Sequence, residues 1–316
     1  MEKLKALVTG ATGFVGSNLL RALVSNNHEI HVTIRKDSNI WRISDIIDQV
    51  EVEYCDLTDR VKVNRMVQKT KPQWIFHLAT YGAIPSQKEK LRIMNANFIG
   101  TINLMDACAE EGFECLINTG SSSEYGIKLG PMKETDVLEP INDYGVSKAA
   151  ATLYCQSIAK NHDLNMLTLR LFSPYGYFED PDRLVPYLIR SCLDDEPVIL
   201  YNPKAVRDFI FIDDVVGAYL IAVNNADKAA SGEIFNVGSG KQHSVREVFN
   251  IVKKATCYQK EAVVGKSKSA VHPSDKVEVW EADVTKIKRA FAWEAKTALP
   301  EGIKKTVAWF EDYFRK

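Results

Sequence analysis

The stretch Leu4-Lys5-Ala6-Leu7-Val8-Thr9-Gly10-Ala11-Thr12-Gly13-Phe14-Val15-Gly16 decides the fold. Its first six residues form a short apolar run suited to a buried strand. Glycines follow in the pattern G-x-x-G-x-x-G, and Ser17 to Val24 then carries the apolar periodicity of a helix. Strand, glycine turn and helix together are the setting in which a dinucleotide pyrophosphate rests on a helix N-terminus. Gly10 would permit the tight turn, Gly13 the close approach of backbone to phosphate, and Gly16 the close packing of helix on strand. Thr12, Phe14 and Val15 lie in the same turn and join these glycines as candidate cofactor contacts. A glycine turn alone is an ordinary loop; its place between strand and helix is what gives it weight.

Outward from this stretch the same alternation continues. Strand-like runs at Glu29–Arg35, Val50–Cys55, Trp74–Leu78, Cys115–Thr119 and Asn165–Leu171 alternate with helical patterns, among them Asn97–Glu111 and Tyr144–Asn161. Such alternation predicts an α/β fold built on a Rossmann-type, doubly wound parallel sheet. After Pro174 the pattern becomes irregular, and Pro181, Pro186, Pro197 and Pro203 punctuate short elements. Within that region Arg207–Ile212 and Glu233–Val237 are strand-like, so the chain is expected to return to the sheet between about 205 and 240.

Composition bounds the function. A chain of 316 residues buries roughly three quarters of its unfolded surface without covalent staples. A net charge of -1 and 46% hydrophobic residues are an ordinary soluble balance. There is no basic stripe for nucleic acid and no apolar run near the ~20 residues of a membrane span. The start, Met1-Glu2-Lys3-Leu4-Lys5, leads directly into a strand, so no signal peptide is expected. Six cysteines without a C-x-x-C pair read as reduced thiols, and the six histidines fall in no metal-ligand spacing. These features together predict a cytoplasmic enzyme without a bound metal.

Tyr144 is followed four residues later by Lys148. On a helix that spacing puts phenol and ammonium on one face. A free tyrosine titrates near ~10 and is a poor proton exchanger at neutral pH. A nearby cation favours the phenolate, and lowering the phenol by ~3 units needs about 4 kcal/mol. Standing alone, Tyr144 and Lys148 would be an ordinary exposed helix turn.

With this pair, the glycine spacing resembles the extended short-chain dehydrogenase/reductase family, in particular its nucleotide-sugar epimerase, dehydratase and reductase branch. The resemblance runs along nearly the whole chain. Asp56-Leu57 matches the family's adenine contact, and His77-Leu78-Ala79, with Thr80 beside it, matches its fourth-strand motif. Asn97-Phe98-Ile99-Gly100-Thr101 matches a helix signature, and Ser121, four residues before Tyr125-Gly126, stands where the family keeps its catalytic Ser or Thr. Arg207-Asp208-Phe209-Ile210-Phe211-Ile212-Asp213-Asp214-Val215, Phe235-Asn236-Val237-Gly238 and Glu301-Gly302-Ile303 to Trp309 match later segments. The resemblance implies a cofactor domain over 1–172 and a smaller substrate domain over 173–316. It implies catalysis by Ser121, Tyr144 and Lys148. Implied cofactor contacts are Ser38, Asp56, Leu57, Leu78, Ala79, Thr80, Asn97, Thr119, Tyr144 and Lys148, besides the glycine turn. Implied substrate contacts are Tyr81, Ser121, Ser122, Ser123, Ser173, Arg183, Arg207 and Lys276.

Three positions sort the chemistry. At the end of the second strand, where NAD-binding relatives usually place an acid for the ribose 2′-hydroxyl, Arg35-Lys36 stand instead and suit a 2′-phosphate. That favours NADP, while Asp37, next in line, keeps NAD open. After Ser121, the dehydratase branch carries an Asp-Glu pair for elimination; here Ser122-Ser123 follow, with Glu124 one position later, so dehydratase activity is disfavoured. In Arg170-Leu171-Phe172-Ser173-Pro174-Tyr175-Gly176-Tyr177 the epimerase/reductase histidine of fucose-type synthases is absent. The Arg that many relatives place late in the chain has no clear counterpart near His272-Pro273-Ser274-Asp275-Lys276, so Arg207 is the better candidate for the substrate diphosphate, with Lys276 second.

What remains is the machinery for hydride transfer at C4 of a nucleotide-diphosphate-sugar. The segment Leu184-Val185-Pro186-Tyr187-Leu188-Ile189, with Arg207-Asp208-Phe209-Ile210-Phe211 and His77-Leu78-Ala79-Thr80-Tyr81-Gly82, is similar to CDP-abequose-type 4-ketoreductases. The expectation is therefore NADPH-dependent reduction of an NDP-4-keto-6-deoxyhexose, with an NAD-dependent 4-epimerase as the alternative and an NADP-sensing, non-enzymatic protein as a minor one. The resemblance also implies a homodimer through Asn97–Glu111 and Tyr144–Asn161, whose apolar residues cover more than one helix face.

Overall fold

The computed structural model describes residues 4–26, 28–84, 86–265 and 278–314. Its main sheet is built from β1 (Lys5–Thr9), β2 (Glu29–Ile34), β3 (Glu51–Tyr54), β4 (Trp74–His77), β5 (Cys115–Ser121), β6 (Met166–Leu171) and a late strand, Ile234–Val237. The spatial order is the late strand, then β6-β5-β4-β1-β2-β3, and neighbours run parallel. β4 and β6 are buried along their whole lengths, and their polar residues His77, Thr168 and Arg170 are each hydrogen-bonded within the chain. Helices α1 (Phe14–Ser25), α2 (Arg60–Thr70), α3 (Lys90–Met94), α4 (Gly100–Glu111) and α5 (Asp143–His162) connect them. Met66 and Val67 of α2, Leu104 and Met105 of α4, and Cys155 and Ala159 of α5 form one core cluster. Leu19, Leu20 and Leu23 of α1 belong to a second, larger one.

Beyond β6 the chain forms β7 (Ser173–Tyr175), α6 (Leu184–Leu193), β8 (Ile199–Leu200), β9 (Val206–Phe211), α7 (Ile212–Asn224), β10 (the late strand Ile234–Val237), β11 (Gln242–Ser244), α8 (Val245–Ala255), β12 (Val263–Val264), α9 (Thr285–Phe291) and α10 (Leu299–Phe314). Of the two segments expected to return to the main sheet, only β10 does so. Arg207–Ile212 instead supplies β9, the middle strand of a small sheet ordered β11-β9-β7. The reason lies after Leu171: Phe172 N–H still bonds to the Val237 carbonyl at 3.0 Å, and the chain then bends away as β7, which pairs with β9. β10 already occupies the open edge of β6, so β9 cannot. The larger core cluster runs from β1 and β2 through α7 into α8 and α10, so both parts share one interior.

The helix read as Asn97–Glu111 is interrupted. Asn95–Ile99 forms a π-turn before α4 begins at Gly100. Such a turn re-aims a side chain inward, and here Asn97 is the buried residue of the turn. The cysteines are free, and five of them, all but Cys257, are buried. Among the described residues no helix is long and apolar enough to cross a membrane.

Candidate active site

The candidate residues gather at the carboxyl ends of adjacent strands, where parallel α/β sheets bind their ligands. Gly10 follows β1 with φ +72°, and a Cβ there would lie 2.6 Å from the Ala79 nitrogen after β4. At Gly16 a Cβ would lie 2.2 Å from the Gly10 carbonyl oxygen. Only glycine fits either place. Gly13 is the N-cap of α1, which has no side-chain cap and no acidic residue in its first turn. Bare helix-end amides beside a glycine cradle suit the pyrophosphate of a dinucleotide. Thr12, Phe14 and Val15 are half-buried around this turn.

Hydroxyls and one histidine lock the strand ends. Thr9 Oγ1 lies 2.7 Å from His77 Nδ1, His77 Nε2 lies 2.9 Å from Thr101 Oγ1, and Ala79 N–H donates to Thr9 Oγ1 at 3.2 Å. Burial, with the nearby Lys148 charge, pushes His77 down to about 3, so its ring stays neutral.

Asn97, expected to touch the cofactor, is held by four hydrogen bonds within the chain. Its amide donates to the Tyr81 carbonyl at 2.8 Å and to Ser147 Oγ at 2.9 Å. Its oxygen accepts from Tyr81 N–H at 2.7 Å and from the Thr80 hydroxyl at 3.1 Å. With these bonds made and no exposed surface, Asn97 braces the loop after β4 against α5.

Ser121, Thr80 and Tyr144 come together: both hydroxyls, and Arg183, lie close enough to the Tyr144 phenol to act on it. Lys148 follows one turn along α5 and is buried. The expected lowering of Tyr144 by Lys148 is not found. Burial pushes the phenol up, against the pull of Ser121, Thr80 and Arg183. Burial likewise pushes Lys148 down, opposed by Glu124. Both groups are desolvated, and in each case burial outweighs the neighbours that favour the charged form.

Glu124 is turned away from the site. Its Oε2 accepts from Arg170 Nε at 2.7 Å, with both side chains buried. Ser122 Oγ accepts from the Trp280 indole N–H at 3.1 Å, and the Arg207 guanidinium lies over the Trp280 ring at 5.0 Å. Arg207 is thus joined to the loop after β5 through a tryptophan that sequence reasoning missed. Ser123 and Ser173 are half-buried. Tyr81 gives its hydroxyl to Glu89 at 2.7 Å and carries Arg92 over its ring at 4.4 Å. Arg183 donates to the Ala83 carbonyl at 2.9 Å. Thr119 Oγ1 lies 2.6 Å from the Tyr219 hydroxyl. Lys276 lies outside the described residues.

At the cofactor's expected far end, Asp56 accepts from Thr58 and is exposed, while Leu57 and Leu78 are buried. Arg35 and Lys36 are exposed just past β2, and Ser38 Oγ accepts from Arg35 N–H at 3.1 Å. Arg42, also missed, bridges two regions. It donates to the Phe178 carbonyl at 2.6 Å and to the Thr12 carbonyl at 3.4 Å. It sits in no periodic pattern, so nothing in the sequence marks it.

Residues 6–238 match the NAD dependent epimerase/dehydratase family. The chain belongs to that family. It is 26% identical to the dTDP-glucose 4,6-dehydratase of Neisseria gonorrhoeae over 98% of this chain and 96% of that one. It is similar to the Thermotoga maritima UDP-glucose 4-epimerase solved with UDP-glucose, at 27% identity and TM-score 0.89, covering 98% of this chain and 100% of that one. It is also similar to the Thermus thermophilus UDP-glucose 4-epimerase solved with NAD, at 26% identity and TM-score 0.84, with the same coverage.

Proposed function

We propose that this family member moves a hydride at C4 of a nucleotide-diphosphate-sugar, as an NADPH-dependent 4-ketoreductase of an NDP-4-keto-6-deoxyhexose. The observation that carries the reading is the closeness of Ser121 and Thr80 to the Tyr144 phenol, with Lys148 one turn behind. A nicotinamide dinucleotide held at the glycine turn supplies the hydride. Ser121 hydrogen-bonds the C4 oxygen and Tyr144 gives it a proton as the alcohol forms. A phenol raised by burial keeps its proton at neutral pH, which suits a donor. Lys148 holds the nicotinamide ribose, and Arg207 with Arg183 takes the substrate diphosphate. Glu124, tied to Arg170, is not free to catalyse elimination, which supports the exclusion of a dehydratase.

The comparisons favour a second reading, an NAD-dependent 4-epimerase, which uses the same residues in both directions. One experiment separates them. A reductase oxidises NADPH when given dTDP-4-keto-6-deoxyglucose and releases little cofactor on heat denaturation. An epimerase releases tightly held NAD and converts UDP-glucose to UDP-galactose. Neither turnover on either substrate would reject the C4 reading. The proposed assembly is a homodimer through α4 and α5, whose outer face leaves Leu153 and Val146 exposed.

A further inference from the structure

Glu124 is a fully buried carboxylate in the wall behind the candidate catalytic residues. It ends the short turn Ser122–Glu124 that follows β5 and closes a capping box with Ser121. Its Oε1 accepts from Ser121 N–H at 2.7 Å, and Ser121 Oγ accepts from Ser123 N–H at 3.2 Å. The same Oε1 accepts from the Thr152 hydroxyl at 3.0 Å. Thr152 lies on α5, two turns past Tyr144 and one past Lys148. Oε2 holds Arg170 of β6, whose Nη1 donates to the Tyr125 hydroxyl at 3.0 Å. One carboxylate therefore ties β5, α5 and β6 together at the place where Ser121 meets Tyr144.

An apolar side chain would fill this space without the desolvation that a buried charge incurs, and a buried ion pair is weak evidence for stability. A role in geometry explains it better. We infer that Glu124 is a positioning residue, which fixes Ser121 against the helix bearing Tyr144 and Lys148 and so keeps the three in one register. The inference rests on the proposed catalytic role of those three residues.

The charge of Glu124 also reaches them. It opposes the effect of burial on Lys148, and it adds to the upward push on Tyr144. The other groups facing Tyr144 are Ser121, Thr80, Arg183 and Tyr219. Those facing Lys148 are Cys155 and His77. Those facing Glu124 are Arg170, Thr152 and Tyr125.

The test is Glu124→Gln, assayed on whichever substrate turns over in the preceding experiment. The variant keeps the volume and loses the charge. Its kcat should fall about 10-fold or more while KM stays within about 3-fold, since misplacement of a reacting group acts on the chemical step. The alkaline limb of its pH–rate profile should move to lower pH, because Tyr144 and Lys148 both release their protons more readily without the carboxylate. Glu124→Asp, which keeps the charge, should return the limb to its wild-type position. A Glu124→Gln enzyme with wild-type kcat and an unmoved limb overturns the inference, even if its Tm falls. If that variant does not fold, Glu124→Leu with Arg170→Leu leaves no unpaired buried charge, and the same two readings decide. Tyr144→Phe is run alongside. If it keeps turnover, the catalytic reading fails and takes the inference with it; if it is inactive and Glu124→Gln is normal, the inference alone fails.

Discussion

Arg35 Nε lies 3.3 Å from Asp37 Oδ1 at the exposed end of β2. The contact pulls the Asp37 carboxyl below its ordinary range. A cation fit for a 2′-phosphate and an anion fit for a 2′-hydroxyl thus stand side by side at the end of β2. Arg35→Ala should weaken NADPH by roughly 10- to 150-fold, the cost of one charged hydrogen bond, and leave NADH nearly unchanged. Asp37→Ala should act the opposite way and tighten NADPH. Fluorescence titration of both cofactors checks this, and equal losses for both would sink the assignment.

The catalytic residues should separate chemistry from folding. Tyr144→Phe removes the transferred proton and should abolish turnover. Ser121→Ala should lower kcat by about 10²- to 10³-fold, the usual effect of losing one donor to a developing oxyanion. Thermal melts of both variants should stay near wild type. Near-normal turnover of Tyr144→Phe would refute the mechanism.

Elimination should not occur. Ser122 accepts from the Trp280 indole N–H, Ser123 has no carboxylate, and Glu124 is held by Arg170. Incubation with dTDP-glucose and NAD, followed by mass spectrometry, should show no 4-keto-6-deoxy product. Its appearance would mean that Glu124 can leave Arg170.

Stability should fall as pH rises from mildly acidic to mildly alkaline. Glu179 is buried, its Oε2 has no hydrogen-bond partner, and burial pushes its carboxyl up to about 8. The unfolded chain releases this proton near the ordinary value of 4.5. Below that value both states hold the proton and nothing is lost. Between it and about 8 the folded state binds more protons than the unfolded one, so unfolding becomes easier with each step up in pH. Glu179→Gln should flatten the Tm-against-pH curve across this window and raise Tm most at its alkaline end. A curve of unchanged slope would count against a protonated Glu179.

Much of this was legible beforehand, and the misses share a cause. Leu4 to Gly16 announced strand, turn and helix because each glycine there is demanded by backbone atoms close by in sequence or at the next strand end. Glu233–Val237 and Arg207–Ile212 both looked like strands, and both are. Which of them reaches the main sheet depends on which one pairs with the open edge of β6, and β10 does, a fact of three dimensions. Ser121, Tyr144 and Lys148 were proposed from the family resemblance, since the Tyr144–Lys148 spacing alone reads as an ordinary helix turn. The roles of Asn97, Glu124, Trp280 and Arg42 were not, since each depends on partners tens of residues away or more.

The proposed association surface can be tested at one residue. Most apolar residues of α4 and α5 are covered within the chain, Leu104, Met105, Cys108 and Ala159 among them, but Leu153 is 53% exposed and Val146 42%. Leu153→Glu should shift the sedimenting species towards about half the wild-type mass, as expected when a two-fold contact is broken. A wild-type chain that sediments as a clean monomer at micromolar concentration would reject the dimer.

The edge position of β10 has a consequence for how the protein is made. A chain emerging from the ribosome delivers β1 to β6 in order, yet β6 waits for a neighbour supplied by Ile234–Val237. Until that segment is out, the rim of a strand that is buried along its whole length in the folded protein stays open to pairing with any other nascent chain. A truncation after residue 172 should therefore yield insoluble material rather than a small nucleotide-binding unit. Synthesis paused between β9 and β10 marks the interval in which this protein most needs a chaperone.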